Sequence, residues 1–229
     1  GTQIKSYIYY KILIMRRLFI SILMLTALSV YSQPDRILSV TLENVDYAYP
    51  VNYLSLNIDG QDVRMVYMDV KPVRPNGKTL ILFHGKNFAG YYWTNVIKAL
   101  SEKGYRVVIP DQIGFGKSSR PIVNYSFHRL ASYNKQLMDS LKIQQAVIMG
   151  HSMGGMLAAR FALLYPERTS QLVLENPIGL EDYRMFVPYA SPEALYQTEL
   201  KATAESIKRY YQTSYFVQWK PEYDELVRI

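Results

Sequence analysis

Five consecutive residues in the middle of the chain have the types and spacing of a nucleophilic serine site: residues 150–154, Gly-His-Ser-Met-Gly. A short apolar run precedes them and a helical pattern follows, so the sequence predicts a strand, a sharp turn and a helix, with Ser152 at the turn. The glycines on either side let strand and helix approach closely. The Met153 N–H, at the start of the helix, is aimed toward an oxygen on the carbon that Ser152 would attack. We therefore predict Ser152 as a nucleophile and Met153 as one oxyanion-hole donor.

A serine hydroxyl needs a base, usually a histidine, to take its proton. The chain has three histidines. His151 adjoins Ser152 on the turn, and we expect its ring to face away from the serine hydroxyl and to serve in packing. His84 is expected to hold the loop after it by hydrogen bonds, and His128 to lie at a helix surface or in packing. None of the three is predicted as the base.

Composition places the chain among single globular α/β or mixed domains, with 229 residues, 49% of them hydrophobic and 20% charged. The net charge of +7 includes four basic residues in the first 32, a stretch without Asp or Glu. The remainder has 22 basic against 19 acidic residues and no basic stripe with interleaved aromatics, so nucleic-acid binding is not expected. With no cysteine, disulfides, thiolate nucleophiles and thiolate metal sites are excluded.

The N-terminal part has the three regions of a secretory signal peptide over about residues 15–32. Met-Arg-Arg at 15–17 precedes an apolar run of eleven residues at 18–28, and small residues suit a cut after Ser32. A buried N-terminal helix is the alternative. We expect a secreted or periplasmic protein without a stable membrane anchor after cleavage, because the run is too short to span a bilayer. Residues 1–14 resemble translated sequence upstream of a start at Met15.

Apolar runs and helical patterns alternate along the rest of the chain. The predicted strands are at 51–58, 63–70, 79–83, 105–109, 144–149 and 171–174. The first two form a hairpin around 59–61. The strands at 79–83 and 105–109 have the apolar character of strands covered on both faces, and helices lie between the last four strands. This order predicts an α/β fold, a doubly wound and mostly parallel sheet with the hairpin on one edge.

Ligands on such sheets bind at the carboxyl ends of the strands. The sequence has His84, Asp111, Ser152 and Glu175 at these ends. The site should therefore lie along this edge of the sheet.

The character of the chain changes after Gly179. Ser191 is a predicted helix cap and Pro192 lies in the first turn. A single helix is expected to carry Tyr196, Leu200, Ile207 and Tyr211 on one side. We interpret residues 181–229 as the start of an aromatic, helical cap on a core at 33–180, with 1–32 as leader. The alternative is an ordinary amphipathic helix pair packed on the core.

With these residues the chain resembles the α/β-hydrolase fold superfamily. The resemblance rests on three segments: His-Gly at 84–85, Pro-Asp-Gln-Ile-Gly-Phe-Gly-Lys-Ser at 110–118, and Gly-His-Ser-Met-Gly-Gly at 150–155. It covers residues 79–180 and extends into the cap. It implies that Ser152 is the nucleophile and that the Lys86 N–H is the second oxyanion donor, with Asn87 as a less favoured donor. The Lys86 side chain would point to solvent or to a substrate rim.

The resemblance also separates the reactions of the superfamily. Relatives that open epoxides or remove halide have Asp at the position of Ser152, and proline aminopeptidases typically have Trp at that of Met153. The three glycines that follow the histidine in one group of lipases and esterases are absent here. What remains is acyl transfer to water, most simply hydrolysis of a small apolar ester.

The resemblance implies a catalytic acid after a seventh strand and a histidine after an eighth, whereas the sequence predicts six strands. We therefore expect a fragment, inactive by itself, whose acid and base are encoded after Ile229. Glu175 or Asp182 could be an acid in an alternative position after the sixth strand, although a structural role for Glu175 is equally favoured. Asp111 is expected to fix the glycine-rich turn that follows it.

Two functions stay open at this point. The first is a secreted or periplasmic serine hydrolase, and the second is a catalytically silent relative that binds an apolar ligand under the cap. No metal site is predicted and no cofactor is implied. Residues 114–118, Gly-Phe-Gly-Lys-Ser, lack the earlier glycine of a phosphate-binding loop.

Overall fold

The structure is a computed structural model that describes Ser39 and residues 41–228. The predicted leader at 1–32 lies outside the described residues. Within the described part, no helix is both long enough and apolar enough to cross a membrane.

Residues 41–228 contain a six-stranded sheet and six α-helices. The strands are β1 (Val51–Ile58), β2 (Gln61–Val70), β3 (Thr79–Phe83), β4 (Arg106–Pro110), β5 (Ala146–His151) and β6 (Thr169–Glu175). The helices are α1 (Thr94–Glu102), α2 (Phe127–Ser140), α3 (Met153–Leu164), α4 (Pro192–Leu200), α5 (Ala204–Ser214) and α6 (Glu225–Arg228). Short 3₁₀ helices span Gly90–Trp93, Pro166–Arg168, Tyr183–Met185 and Pro221–Asp224.

The strands lie in the order β1-β2-β4-β3-β5-β6. The β1–β2 and β2–β4 pairs are antiparallel, and β4, β3, β5 and β6 are parallel to one another. The predicted α/β fold, a mostly parallel sheet with an antiparallel hairpin at one edge, is confirmed. Because the four parallel strands point the same way, their carboxyl ends meet at one edge of the sheet.

The hairpin turn is tighter than the sequence pattern indicates. Asp59 (φ +52°) and Gly60 (φ +79°) both have left-handed backbones, and Ile58 pairs directly with Gln61. A two-residue turn of this kind matches the right-handed twist of the flanking strands. β2 therefore begins at Gln61, two residues before the predicted start.

Helices cover both faces of the parallel strands. On one face Ile81, Val108 and Ile148 pack with the buried side chains of α2 and α3, among them Leu137 and Phe161. On the other face the alternate residues of the same strands pack against Trp93 and Ile97 of the segment that includes α1. Strands buried on both faces explain the continuous apolar runs of β3, β4 and β5.

β6 differs from the other parallel strands. It extends from Thr169 to Glu175, beyond the predicted 171–174, and it pairs only with β5 among the described residues. Leu172 and Val173 keep 41% and 39% of their surface exposed. Within the described part, β6 is therefore an edge strand.

Residues 191–215 form two helices, α4 and α5, instead of the single predicted one. Ser191 caps α4 by accepting a hydrogen bond from the Ala194 N–H (3.2 Å), as predicted. α4 then ends at Leu200, and Thr203 caps α5 through a reciprocal pair of hydrogen bonds with Ser206. This capping box satisfies the first N–H groups of a new helix and so fixes the break.

Candidate active site

Ser152 lies at the turn between β5 and α3. Its backbone has φ +54°, a left-handed conformation that a residue with a Cβ keeps only when its surroundings hold it there. The Ser152 N–H donates to the Glu175 carbonyl (3.1 Å). Its carbonyl accepts from the N–H groups of Gly155 (2.9 Å) and Ile178 (3.3 Å). The end of β6 and the loop after it therefore hold the strained turn.

Three glycines around the serine lie where another part of the chain comes too close for a side chain to fit. A Cβ on Gly150 would lie 2.0 Å from the Gly154 carbonyl oxygen, and a Cβ on Gly154 would lie 2.2 Å from that of Phe83. On Gly155 the added carbon would lie 2.6 Å from the Pro177 Cβ. All of these distances are far below van der Waals contact. Helix α3 thus starts in direct backbone contact with β3 and β5, which presents Ser152 at the edge of the sheet.

The loop after β3 lies beside the serine. A Cβ on Gly85 would be 3.4 Å from the Ser152 Cβ and 3.4 Å from His151 Nδ1. The His-Gly pair at 84–85 and the serine turn are therefore neighbours, which is the arrangement that an oxyanion hole between them requires.

A tight turn shapes this loop. The Gly85 carbonyl accepts from the Phe88 N–H (3.3 Å) and contacts His84 Nδ1 at 2.9 Å. Lys86 and Asn87 occupy the two central positions of the turn, and the N–H groups there take no part in the turn's own hydrogen bond. Both predicted candidates for the second donor therefore lie at the tip of the loop. Which of the two acts, and whether Met153 supplies the first donor, stays a prediction.

His84 holds this loop, as predicted, and is fully buried. Its Nε2 accepts from the Gln112 N–H (3.0 Å), so Nδ1 carries the proton and donates to the Gly85 carbonyl. Burial lowers the pKa of His84, and the negative charge of Asp111 opposes this shift. Gln112 in turn exchanges side-chain hydrogen bonds with Asn134 of α2. The neutral ring thus connects the loop to the core.

Asp111 also has the predicted structural role. Its buried carboxylate accepts from the Tyr47 hydroxyl (2.7 Å), the Gly90 N–H (2.6 Å) and the Lys117 N–H (2.8 Å). Its backbone carbonyl accepts from the Ser118 hydroxyl at 2.7 Å. With these donors the carboxylate fixes the glycine-rich turn and ties it to the segment after the oxyanion loop. The contribution of Tyr47 was not predicted from the sequence, where it lies in an irregular stretch far from any motif.

The other two histidines have the predicted kinds of environment. His128 is exposed on α2. The His151 ring packs edge-to-face on Trp93, with centroids 6.3 Å apart, and its Nδ1 is 3.2 Å from the Tyr92 hydroxyl. Burial lowers the His151 pKa, and the charge of Glu175 opposes this shift. Within the described residues no hydrogen bond joins the Ser152 hydroxyl to a histidine.

The two carboxylates considered as acids lie at the end of β6 and in the segment that follows it. Glu175 ends β6 with an exposed side chain, and its backbone carbonyl is the acceptor for the serine turn described above. That contact is a structural role of the backbone at this position. Asp182 lies in the exposed segment that follows, just before a 3₁₀ helix. A catalytic role for either carboxylate stays a prediction.

Polar contacts connect the oxyanion loop to the helices after residue 190. Lys86 Nζ forms an ion pair with Glu199 Oε1 on α4. The Asn87 side-chain amide donates to the Tyr215 hydroxyl at 3.3 Å. The Lys86 side chain is thus exposed, as predicted, and its pairing with Glu199 was not predicted from the sequence.

Aromatic packing strengthens the same connection. The Phe88 ring lies 5.8 Å from the ring of Tyr211 and 6.5 Å from that of Tyr215. Tyr211 and Tyr215 stack on each other at 5.1 Å. Burial is the main cause that raises the Tyr215 pKa to about 12. The predicted aromatic segment therefore contacts the predicted oxyanion loop directly.

A mostly parallel sheet with a strained serine after one strand and a His-Gly loop beside it defines an α/β-hydrolase core. The family model described as "alpha/beta hydrolase fold" matches residues 78–223. The chain belongs to this family.

Several known proteins are similar to the chain. A solved structure of a "probable hydrolytic enzyme" from Pseudomonas aeruginosa PAO1 is 46% identical, with a TM-score of 0.82, and the match covers 85% of this chain and 63% of that one. A haloalkane dehalogenase of Mycolicibacterium paratuberculosis is 31% identical over 57% of this chain and 44% of its own length. The 2-hydroxy-6-oxo-6-phenylhexa-2,4-dienoate hydrolase of Burkholderia cepacia is 38% identical over 45% of this chain and 38% of its own. The chain spans about half the length of the curated relatives it matches.

Replacement of Gly154 by alanine should destabilise the protein by at least about 3 kcal/mol, because the new Cβ overlaps a backbone oxygen that cannot move without displacing β3. The matched control is Gly77→Ala, where the backbone has φ +80° but nothing lies within 4 Å. This control should lose only about 1–2 kcal/mol of stability, the cost of holding an alanine in a left-handed backbone. Urea unfolding measures both, and equal losses would contradict the proposed close approach.

The free energy of unfolding should fall as the pH is lowered from 7.5 to 5. Burial lowers the pKa of His84 and His151 below the ordinary 6.5, so below that pH the unfolded chain binds more protons than the folded chain. The stability is therefore fully present above 6.5 and is lost as the pH falls toward the folded pKa values. His84→Gln should weaken this dependence, whereas His128→Gln, at an exposed position, should retain it. Urea midpoints at several pH values test this, and an unchanged slope in His84→Gln would contradict it.

Proposed function

We propose that the protein is a serine hydrolase in which Ser152 attacks the acyl carbon of an ester. The observation that carries this proposal is the left-handed backbone of Ser152, φ +54°, in van der Waals reach of Gly85. Backbone strain of this kind concentrates at functional sites.

In the proposed reaction the Ser152 Oγ bonds to the acyl carbon and its proton passes to a base. The carbonyl oxygen becomes an oxyanion, stabilised by the N–H groups of Lys86 and Met153 and by the N-terminal end of the α3 dipole. The alcohol leaves with the proton from the base. Water then attacks the acyl-enzyme in the same way, releases the acid and restores the serine.

The base and its carboxylate partner are proposed to lie in a part of the protein beyond residue 229. Two observations support this. No histidine contacts the Ser152 hydroxyl within the described residues, and the chain corresponds to about half the length of its curated relatives. On this proposal the 229-residue chain is inactive alone.

The proposed substrate is a small apolar ester. The rings of Phe88, Tyr211 and Tyr215 beside the oxyanion loop favour an apolar group near the reacting carbon. A second candidate is cleavage of a carbon–carbon bond next to a ketone, because a 38% identical relative is named for hydrolysis of 2-hydroxy-6-oxo-6-phenylhexa-2,4-dienoate. Both reactions begin at a carbonyl carbon, so the same site serves either.

A catalytically silent protein that binds an apolar ligand under the aromatic segment is the alternative from another class. It uses the same rings and requires no base. Export to the periplasm or the medium is a further proposal, supported by the charged and apolar regions of residues 15–32.

Protein expressed from the complete gene should react with an alkyl fluorophosphonate at Ser152, as located by mass spectrometry, and should hydrolyse short p-nitrophenyl esters. Ser152→Ala should abolish both. The 229-residue chain should be labelled roughly 10⁶-fold more slowly or not at all, because only oxyanion stabilisation remains without a base.

The matched control is Ser101→Ala, an exposed helical serine, which should keep full labelling. Assay of 2-hydroxy-6-oxo-6-phenylhexa-2,4-dienoate beside the esters separates the two candidate bonds through the ratio of kcat/KM. Complete protein that is folded but neither labelled nor active on either substrate would overturn the hydrolase proposal and leave the silent binder.

A further inference from the structure

Tyr92 brings its hydroxyl to the junction of the two loops that form the candidate site. It belongs to the 3₁₀ helix Gly90–Trp93, and its hydroxyl lies 3.2 Å from Nδ1 of His151, the residue before the nucleophile. A Cβ on Gly85 would lie 3.4 Å from that same nitrogen and 3.4 Å from the Ser152 Cβ. Three elements thus meet at one point: the loop after β3, the serine turn and the Tyr92 side chain.

The polar groups at this point are consistent with one assignment of hydrogen-bond donor and acceptor. Burial raises the pKa of Tyr92 well above its ordinary value, and the Gly85 backbone N–H opposes the rise. The phenol therefore stays protonated and can donate to His151 Nδ1, 3.2 Å away. Since burial lowers the His151 pKa, the imidazole is neutral and has a nitrogen free to accept.

Packing holds the tyrosine ring in place independently of its hydroxyl. The ring lies 5.0 Å from that of Phe88 and 4.7 Å from that of Trp93. Trp93 is buried, with 2% of its surface exposed, and also packs on His151. Phe88 extends this packing to Tyr211 of α5. A phenylalanine at position 92 would keep these ring contacts and lose only the hydroxyl.

We propose that Tyr92 is a positioning residue that fixes the distance between the oxyanion loop and the nucleophile turn through its hydroxyl. The proposal rests on the proposed hydrolase function, because it concerns the alignment of the same oxyanion hole. Lys86 follows Gly85 directly, and Ser152 follows His151 directly. The Tyr92 hydroxyl contacts the His151 ring, and that ring lies against Gly85, so this one contact sets how the Lys86 N–H and the serine oxygen face each other.

The experiment compares Tyr92→Phe with wild type in protein from the complete gene. We expect kcat to fall by about tenfold, less than the loss of a whole oxyanion donor, since the donor is misaligned but still present. KM should change by less than about twofold, because the oxyanion exists only in the transition state. The rate of fluorophosphonate labelling should fall in parallel with kcat. Tyr91→Phe, at a neighbouring ring that packs on Tyr47, is the matched control and should keep wild-type kcat.

A double variant tests whether the effect passes through His151. His151→Leu removes the partner of the hydroxyl, so adding Tyr92→Phe should lower kcat less in this background than in wild type. Full additivity, or a Tyr92→Phe enzyme with wild-type kcat, would overturn the proposal. A change confined to thermal stability or to KM would overturn it as well. If wild-type protein itself is neither labelled nor active, the proposed function fails instead, which the wild-type arm shows by itself.

Discussion

The structure depends on the contact between the first turn of α3 and the end of β3. At Gly154 the helix backbone comes so close to the Phe83 carbonyl that no side chain fits between them. This contact fixes where the helix starts, and with it the bend that leaves Ser152 in a left-handed backbone. The strain at the serine, on the order of 1–3 kcal/mol for such a residue, is offset by the packing of α3 and the strands on a common core. A looser junction would let the serine relax into an ordinary helical or extended conformation.

Buried polar side chains extend this rigidity to the neighbouring loops. His84, Asp111, Gln112, Ser118 and Asn134 are all fully buried, and each has hydrogen-bond partners. An unpaired group at any of these positions would cost about 1–3 kcal/mol, so each loop is restricted to the conformation that satisfies its partner. The loops around Ser152 are thus positioned by the core. Toward α4 the loop also relies on an exposed contact, the Lys86–Glu199 ion pair, which is worth at most about 1 kcal/mol.

Most features with a local cause could be predicted from the sequence, and features that depend on residues far apart in the chain could not. Apolar runs identified β3, β4 and β5 because both faces of these strands are buried, and the glycine spacing identified the serine turn because backbone contact excludes a Cβ. The break between α4 and α5 was missed, although Thr203 and Ser206 form a capping box, because the apolar spacing continued across it. Tyr92 was missed for a different reason. Its partners His151 and Gly85 are 59 and 7 positions away, and nothing in an aromatic triplet indicates which hydroxyl faces a loop.

The proposed acyl transfer has two requirements, and the described part of the molecule bears differently on each. Stabilising an oxyanion needs fixed N–H groups, which a rigid sheet edge and a helix start supply without any titrating side chain. The proposed activation of Ser152 needs a base near its hydroxyl, and the three histidines lie elsewhere: one as a neutral bridge inside the core, one against Tyr92, and one on an exposed helix face. Because the low pKa values of His84 and His151 follow from burial, these rings are poorly suited to hold the proton of an attacking serine. On the proposed function, the proton-transfer step therefore depends on a group other than these histidine rings.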